Sequence, residues 1–241
     1  IEFQQFQSTL MIFQWTLMKH PLKRLAKSNG YIYFFLLHIY NNYNRFISKL
    51  KTEIILHSNT CKIQYDIIGK KNKIIIGKDT IINKLTIHIR GNNNILDIGN
   101  KCFFGENCLI WMEGDNCEIK IGDHTTSTRD NEFNAQEYKS KITIGNDCMI
   151  SNNVTIRTSD SHPYFDIQSG TRLNIPQNIN IGNHVWIAPN TKIMKGAIIK
   201  DGAIIGSDTT ISKEIPTNSL AIGRPAKIIR TNIRWSREAL F

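Results

Sequence analysis

The sequence has 241 residues, 41% hydrophobic and 21% charged, enough for one large domain with an appendage and too apolar for a disordered chain. Its formal net charge of +10 favours an acidic partner, whether nucleic acid, anionic lipid, polyanionic glycan or phosphorylated cofactor, without choosing among them. Five cysteines (Cys61, Cys102, Cys108, Cys117, Cys148) with no C-x-x-C spacing argue against a disulfide framework or zinc ribbon, and for buried thiols in a reducing compartment.

In chain order, the first expected element is a basic extension over residues 1–52. The chain opens at Ile1 without a methionine, which points to a missing start or a trimmed sequence. The extension carries seven Lys/Arg against one acid, Glu2, so +6 of the +10 lies here. Its aliphatic and aromatic mixture reads as helical, two helices broken near Ser28-Asn29-Gly30. Two roles compete for it: a basic amphipathic segment on an anionic membrane surface, and a terminal cap of a repeat fold. The apolar run Tyr31–Tyr40 is about half of the ~18 residues a membrane span needs, and no signal-peptide layout is evident.

From residue 53 the grammar changes. Ile-Gly pairs recur at 68–69, 76–77, 98–99, 121–122, 144–145 and 181–182, and the blocks G-K-K-N-K-I-I-I-G (69–77), G-N-N-N-I-L-D-I-G (91–99) and G-D-N-C-E-I-K-I-G (114–122) begin 22 and then 23 residues apart. That is an internal repeat. Later the beat is six: Ile144, Ile150, Ile156, then Ile181, Ile187, Ile193, Ile199, Ile205 and Ile211. Four residues after Ile181 and each of the next four stands a smaller side chain, Val185, Thr191, Ala197, Ala203 and Thr209. One flat strand cannot run the length from Ile181 to Ile211, and a helix does not keep every sixth residue on one face. A triangular coil does: three short strands per rung, one Ile per strand pointing inward, and Gly and Asn at corners that need positive φ. The expected fold is therefore mainly β, a parallel β-helix of hexapeptide type over residues 53–241, whose 22–23-residue rungs carry a few extra loop residues. The Ile ladder is core and carries no chemistry, so function is sought where it breaks.

It breaks in T-S-D-S-H-P-Y-F-D (158–166). The sixth place after Ile156 is His162, and the beat resumes only after a loop over residues 163–177. Here the sequence resembles the hexapeptide-repeat acyltransferases. The resemblance spans roughly residues 60–235 and rests on S-D-S-H-P (159–163), I-G-N-H-V-W-I-A-P-N (181–190), I-I-G-S-D-T-T-I-S-K-E-I-P (204–216) and A-I-G-R-P-A-K-I-I-R (221–230). The G-N-N-N insertions, D-S-H-P-Y-F-D and N-I-R-W-S-R (232–237) look most like bacterial capsule O-acetyltransferases, especially those modifying polysialic acid. The resemblance implies a left-handed coil, a homotrimer, acetyl-coenzyme A in the groove between neighbouring coils, and His162 as general base. No metal and no nucleic-acid partner are expected, and the free thiols and the basic extension suit a cytoplasmic protein, at most peripheral to the inner face of the bacterial membrane.

The chemistry fits these residues. A sugar hydroxyl attacking a thioester needs its proton removed, and an imidazole suits that task near neutral pH. Asp160, or a backbone carbonyl, is expected to fix the His162 tautomer by accepting from the other ring nitrogen. Trp186, assigned to the active site by the resemblance, is expected to give an oxyanion hydrogen bond through its backbone N–H and a wall through its indole. For coenzyme A, the matched motifs offer Ala188, Gly206 and Ser207 along the pantetheine arm, and Lys213, Arg224, Lys227 and Arg230 for the phosphates; Arg224 stands where the familiar pattern often has Asn, Ser or Val. Tyr164, Asp166, Arg172, Asn134, Glu137 and Tyr138 are candidates to touch the acceptor, with Arg172 suited to a carboxylate. His124 and His184 read as structural. Three other functions compete. A zinc carbonic anhydrase would need a third histidine beside His162 and His184. A noncatalytic glycan- or membrane-binding scaffold would have no use for a histidine at the break. N-acetylation of an amino sugar would use the same base.

Overall fold

A computed structural model describes residues 30–58 and 60–238. The chain divides into two compact units, Ile1–Ile47 and Ser48–Phe241. The described part of the first unit is a helix, Gly30–Leu50, whose last residues enter the second. Lys49 stands in its final turn, where a cation suits the carbonyl end of the helix dipole. The Thr52 hydroxyl closes that turn on the Ser48 carbonyl at 2.8 Å. The earlier of the two expected helices falls on residues outside those described. No helix of the described residues is long and apolar enough to cross a membrane.

The second unit is a parallel β-helix. Its first side is an eight-stranded sheet, from Glu53–Leu56 to Glu214–Ile215. The other two sides form one 14-stranded sheet because the long strand Ile81–Arg90 turns the corner between them. It pairs through its start with Phe103–Glu106 and through its end with Cys108–Glu113. The coil ends in the one antiparallel pairing among the named strands, Ser219–Ile222 with Lys227–Thr231.

The inward residues stack in columns. On the first side Ile76, Ile98, Ile121, Ile144, Ile181, Ile199 and Ile215 are register partners in succession, all at most 3% exposed. The second side stacks Ile150, Ile187 and Ile205, and the third Ile156, Ile193 and Ile211. Val185, Thr191, Ala197, Ala203 and Thr209 are fully buried beside them, so the small residue four places on fills the interior near each corner. Burying each Ile stabilises the coil by about 1.5–3 kcal/mol.

The I-G-N/D signature has a physical cause. Asn100, Asp123, Asn146, Asn183 and Asp201 each lend a side-chain oxygen to the backbone N–H one rung earlier, at 2.7–2.8 Å. The glycine before each of the first four is forced by crowding, and Lys200 stands in its place before Asp201: a Cβ on Gly145 would lie 2.6 Å from the Gly182 carbonyl. Two places on, Asp79, Lys101, His124, Asp147 and His184 all take φ of 53–59°, the left-handed turn that Asn, Asp and His tolerate best. The extra residues of the early rungs go mainly into strand rather than loop: on the third side Cys108–Glu113 and Glu132–Gln136 stand where the later rung has only Lys192–Ile193. All five cysteines are free, four of them buried. Burial pushes the thiols of Cys102, Cys117 and Cys148 up to about 11, which makes them inert packing groups.

Candidate active site

In this rung the third-side strand is Thr155–Arg157, and the chain departs from its end. Thr158 is still in the coil: its N–H donates to the Asn134 carbonyl at 3.0 Å, and its hydroxyl accepts from Gln136 N–H at 3.0 Å. Gln177 N–H returns to the Thr158 carbonyl at 3.0 Å. One rung therefore takes 37 residues where the next takes 18. The excursion is a hairpin, with Phe165 bridged to Arg172 and Leu173 N–H donating to the Tyr164 carbonyl at 3.0 Å. Asp166 closes its tip by accepting from Ser169 N–H at 2.7 Å. Tyr164, Phe165, Ile167, Leu173 and Ile175 on this arm are all exposed.

A polar knot fastens the root of the hairpin to three rungs. Glu137, at a corner of the rung below, takes both terminal nitrogens of Arg172 at 2.5 and 2.8 Å and accepts from the Ser159 hydroxyl. Asp160 pairs with Lys195, from the rung above, at 2.6 Å. The Asn174 amide donates both to Asp160 at 3.0 Å and to the His162 carbonyl at 2.8 Å, while its oxygen accepts from Tyr164 N–H at 2.9 Å. Arg157 reaches the Ser159 carbonyl at 2.8 Å and the Ser161 hydroxyl at 2.9 Å. Hydrogen bonds from Arg172 hold the Glu137 carboxyl below the usual carboxylate range, and those from Lys195 and Asn174 do the same for Asp160.

Several expected roles change. His162 does not occupy the inward sixth place; Thr158 and Ser159 are the buried residues there, and His162 is exposed on the hairpin. Its backbone is gripped through the carbonyl, while no hydrogen bond to its imidazole is present among the described residues. Asp160 does not orient that ring, because its carboxylate serves Lys195 and Asn174. Arg172 already holds a carboxylate, the protein's own Glu137. Asn134 is 9% exposed, and its carbonyl supports Thr158, so it braces the point of departure rather than facing an acceptor. Of the acceptor candidates, Tyr164 and Tyr138 present exposed rings.

Trp186 lies on a different side of the coil, in Trp186–Ile187, with Met149 and Ile204 as register partners. Its N–H donates to the Ala203 carbonyl at 2.9 Å, so it is spent on the rung ladder and is not the expected oxyanion donor; the indole remains. Ala188 and Gly206 follow the inward Ile of successive rungs, their N–H groups donating to Ile205 and Ala221 carbonyls at 2.9 Å. Exposed Ser207 adjoins them. Arg224 folds back on Asp208 at the same corner, at 2.5 Å, and Lys227 starts the antiparallel strand. Lys213 is apart from this group, at another corner, where its carbonyl faces Ile198 N–H.

A second network, on none of the residues expected to react, is built by the tail that follows Lys227–Thr231. Trp235 lies flat on the His184 ring, centroids 4.0 Å apart and 6° between planes, and its indole N–H donates to the His184 carbonyl at 2.9 Å. His184 Nδ1 meets Asp147 at 2.7 Å and Nε2 meets the Trp235 carbonyl at 3.2 Å. Arg237 reaches Asp147 at 2.6 Å and the Cys148 carbonyl at 2.8 Å. Burial opposes ionisation of Asp147, yet Arg237 and His184 bring its carboxyl below the usual range. With both ring nitrogens engaged here, His184 is a structural residue. The only sequence signal of this tail was the aromatic-and-basic N-I-R-W-S-R itself.

The comparisons with known proteins agree with this architecture. Residues 178–213 match the family model "Bacterial transferase hexapeptide (six repeats)". A polysialic acid O-acetyltransferase of Neisseria meningitidis is 36% identical over 183 residues, 75% of this chain and 83% of that protein. One of Escherichia coli O1:K1 / APEC is 42% identical over 99 residues, 41% of this chain but 32% of that longer protein. The crystal structure of the polysialic acid O-acetyltransferase OatWY superposes with a TM-score of 0.73 at 32% identity, covering 79% of this chain and 90% of that one.

Proposed function

The chain belongs to the hexapeptide-repeat acetyltransferases, and on that premise we propose that it moves acetyl from acetyl-coenzyme A to a hydroxyl of an acidic capsule glycan of the polysialic acid class. The observation that carries this reading is the rung broken at His162: the backbone is held by Asn174 at 2.8 Å while the imidazole stands free and exposed. An imidazole so mounted can accept the hydroxyl proton as the sugar oxygen attacks the thioester carbonyl. When the tetrahedral adduct collapses, the carbon–sulfur bond breaks and the same ring returns the proton to the leaving thiolate. Such a base contributes about 10²–10⁴-fold.

His162 and Trp186 project from different sides of one coil. Packing copies side by side would set the hairpin of one against the second side of the next, so we take the working enzyme to be a homotrimer with sites between copies. There the Trp186 indole would wall the thioester, and the small Ala188–Gly206 column would leave room for the pantetheine arm. The net charge of +10 supports an acidic acceptor, whose binding should weaken with salt. The free thiols fit a reducing cytoplasm.

The test is thiol release from acetyl-coenzyme A with polysialic acid, with His162→Ala alongside. Release that requires both the polymer and His162 supports the reading. His162-dependent release with amino sugars or neutral glycans alone would move the acceptor class. No release from a folded oligomer with any of these acceptors would point to a glycan-binding scaffold.

A further inference from the structure

Trp186 is held not only by its own rung. Its indole meets Trp235 at 6.1 Å between centroids, tilted 48°, and Trp235 is itself fixed from behind. The His184 ring stacks on it at 4.0 Å, and the Arg237 guanidinium carbon stands 5.9 Å from its centroid. Two hydrogen bonds tie the pair reciprocally: the Trp235 indole N–H to the His184 carbonyl, and His184 Nε2 to the Trp235 carbonyl. His184 in turn bonds Asp147 one rung below, and Arg237 locks that carboxylate from the outside while reaching the carbonyls of Cys148 and His124. The tail thus crosses several rungs as a strap, although residues 232–237 contribute only Trp235 to the buried set.

The strap has more anchoring than a chain end needs for its own sake. The hydrophobic columns of the coil are closed without it, because the inward faces of rungs 144–187 are fully occupied by Ile144, Ile150, Ile156, Ile181 and Ile187. What the strap touches on the outer surface is the neighbourhood of the one aromatic residue assigned to the reaction. Trp186 sits on an outer face where its rung gives it a backbone position but no aromatic neighbour, and Trp235 supplies one. We infer that the C-terminal strap is a positioning element for acetyl transfer, in which Trp235, backed by His184, Asp147 and Arg237, sets the plane of the Trp186 indole against the reacting thioester.

This inference rests on the transferase reading above. Trp235 is a positioning residue: it acts through Trp186 and needs no contact with acceptor. A wall displaced by about 1 Å can cost up to ~10²-fold in rate without changing how the polymer is gripped elsewhere. The expected signature is therefore a fall in kcat with an unchanged acceptor KM.

The experiment compares the full-length oligomer with Trp235→Ala, Trp235→Phe and Arg237→Ala, and with His162→Ala and Trp186→Phe as references, using acetyl-coenzyme A and polysialic acid. Trp235→Ala should lower kcat about 10- to 100-fold with KM for polysialic acid within about twofold, and Trp235→Phe should recover most of the loss. Arg237→Ala should show a smaller kcat effect in the same direction. In the far-ultraviolet circular dichroism, the exciton couplet of two tilted indoles should be present in the wild type and absent in both Trp235→Phe and Trp186→Phe. Wild-type kcat in Trp235→Ala, or a loss that Trp235→Phe fails to recover and that tracks the melting temperature, overturns the positioning role. No couplet in the wild type overturns the strap contact itself. Wild-type release no greater than that of His162→Ala, with the couplet intact, overturns the transferase reading and the role of the strap in it, and leaves the docked geometry standing.

Discussion

Residues 179–215 and residues 158–177 are neighbours in the chain, and they are held by opposite means. In the first stretch every inward position is an aliphatic or small side chain stacked on its like, and the backbone closes 18-residue steps with rung-to-rung hydrogen bonds. In the second, five large apolar side chains are exposed, and the chain is fastened by Glu137, Asp160, Arg172, Asn174 and Lys195. The coil is a packing device whose few inward polar groups in this stretch, Thr191 and Thr209, are small and fully buried. The hairpin is a mounting device, in which directed hydrogen bonds hold one backbone segment while leaving an imidazole open. A substitution in one stretch should therefore leave the other largely intact.

The largest expected effect separates chemistry from scaffold. His162→Ala should cost turnover about 10²–10⁴-fold and leave the melting temperature and oligomer unchanged, since the imidazole is exposed and packs in no column. Steady-state thiol release and calorimetry on the same sample would check this, and a parallel loss of stability would mean that the ring is structural. Next is the converse. Ile187→Ala removes a side chain with no exposure from the second-side column between Ile150 and Ile205. It should cost about 2–5 kcal/mol by lost transfer and cavity terms, measured by denaturant midpoint, while the fraction that remains folded keeps its specific activity.

The two stretches also differ in how much of them could be read beforehand. The ladder was legible because one side-chain type recurs at one spacing: Ile181 to Ile211 announces three columns at once, and the I-G-N motif announces its corner. His162 was legible as the break in that spacing. The sense of the break was not, because a period says which place comes next and not whether the chain is still in the coil; Thr158 and Ser159 fill the interior and the histidine rides outside. The mount itself has no period. Arg172 finds Glu137 35 residues away, and Asp160 finds Lys195 at the same separation. Charged pairs at such distances follow from the folded rungs and leave no mark on a single sequence. The engaged N–H of Trp186 was hidden for a related reason, since any residue at that place in a rung gives its amide to the next.

The third prediction acts on the mount alone. Arg172→Ala deletes a bidentate partner and leaves Glu137, whose side chain is 26% exposed, without its main counter-charge. Solvent screens this pair, and what it does contribute fastens the hairpin rather than the coil. The expected result is roughly a tenfold loss of turnover, faster proteolytic nicking within 163–177, and an unchanged melting temperature. Faster nicking with full turnover would show that the hairpin root is not what places His162.

The smallest effect is one of pH. Glu137 and Asp160 both have carboxyls lowered in the folded protein by their hydrogen-bonded cations. A group whose pKa is depressed on folding contributes stability above its unfolded value, and the contribution is lost as pH falls through the folded value. The mount should therefore be at full strength from the ordinary carboxylate range upward and weaken only in acid below it. The stacked Ile columns carry no titrating group and should not respond over that interval. Amide hydrogen exchange, corrected for the intrinsic pH dependence of each site, should show residues 159–177 losing protection in acid while residues 179–215 keep theirs. In Arg172→Ala the midpoint of that loss should move up toward the ordinary carboxylate range, because Arg172 is the first cause of the Glu137 shift. A single transition shared by both stretches would mean that hairpin and coil unfold as one unit, and that the mount is not separable from the scaffold beneath it.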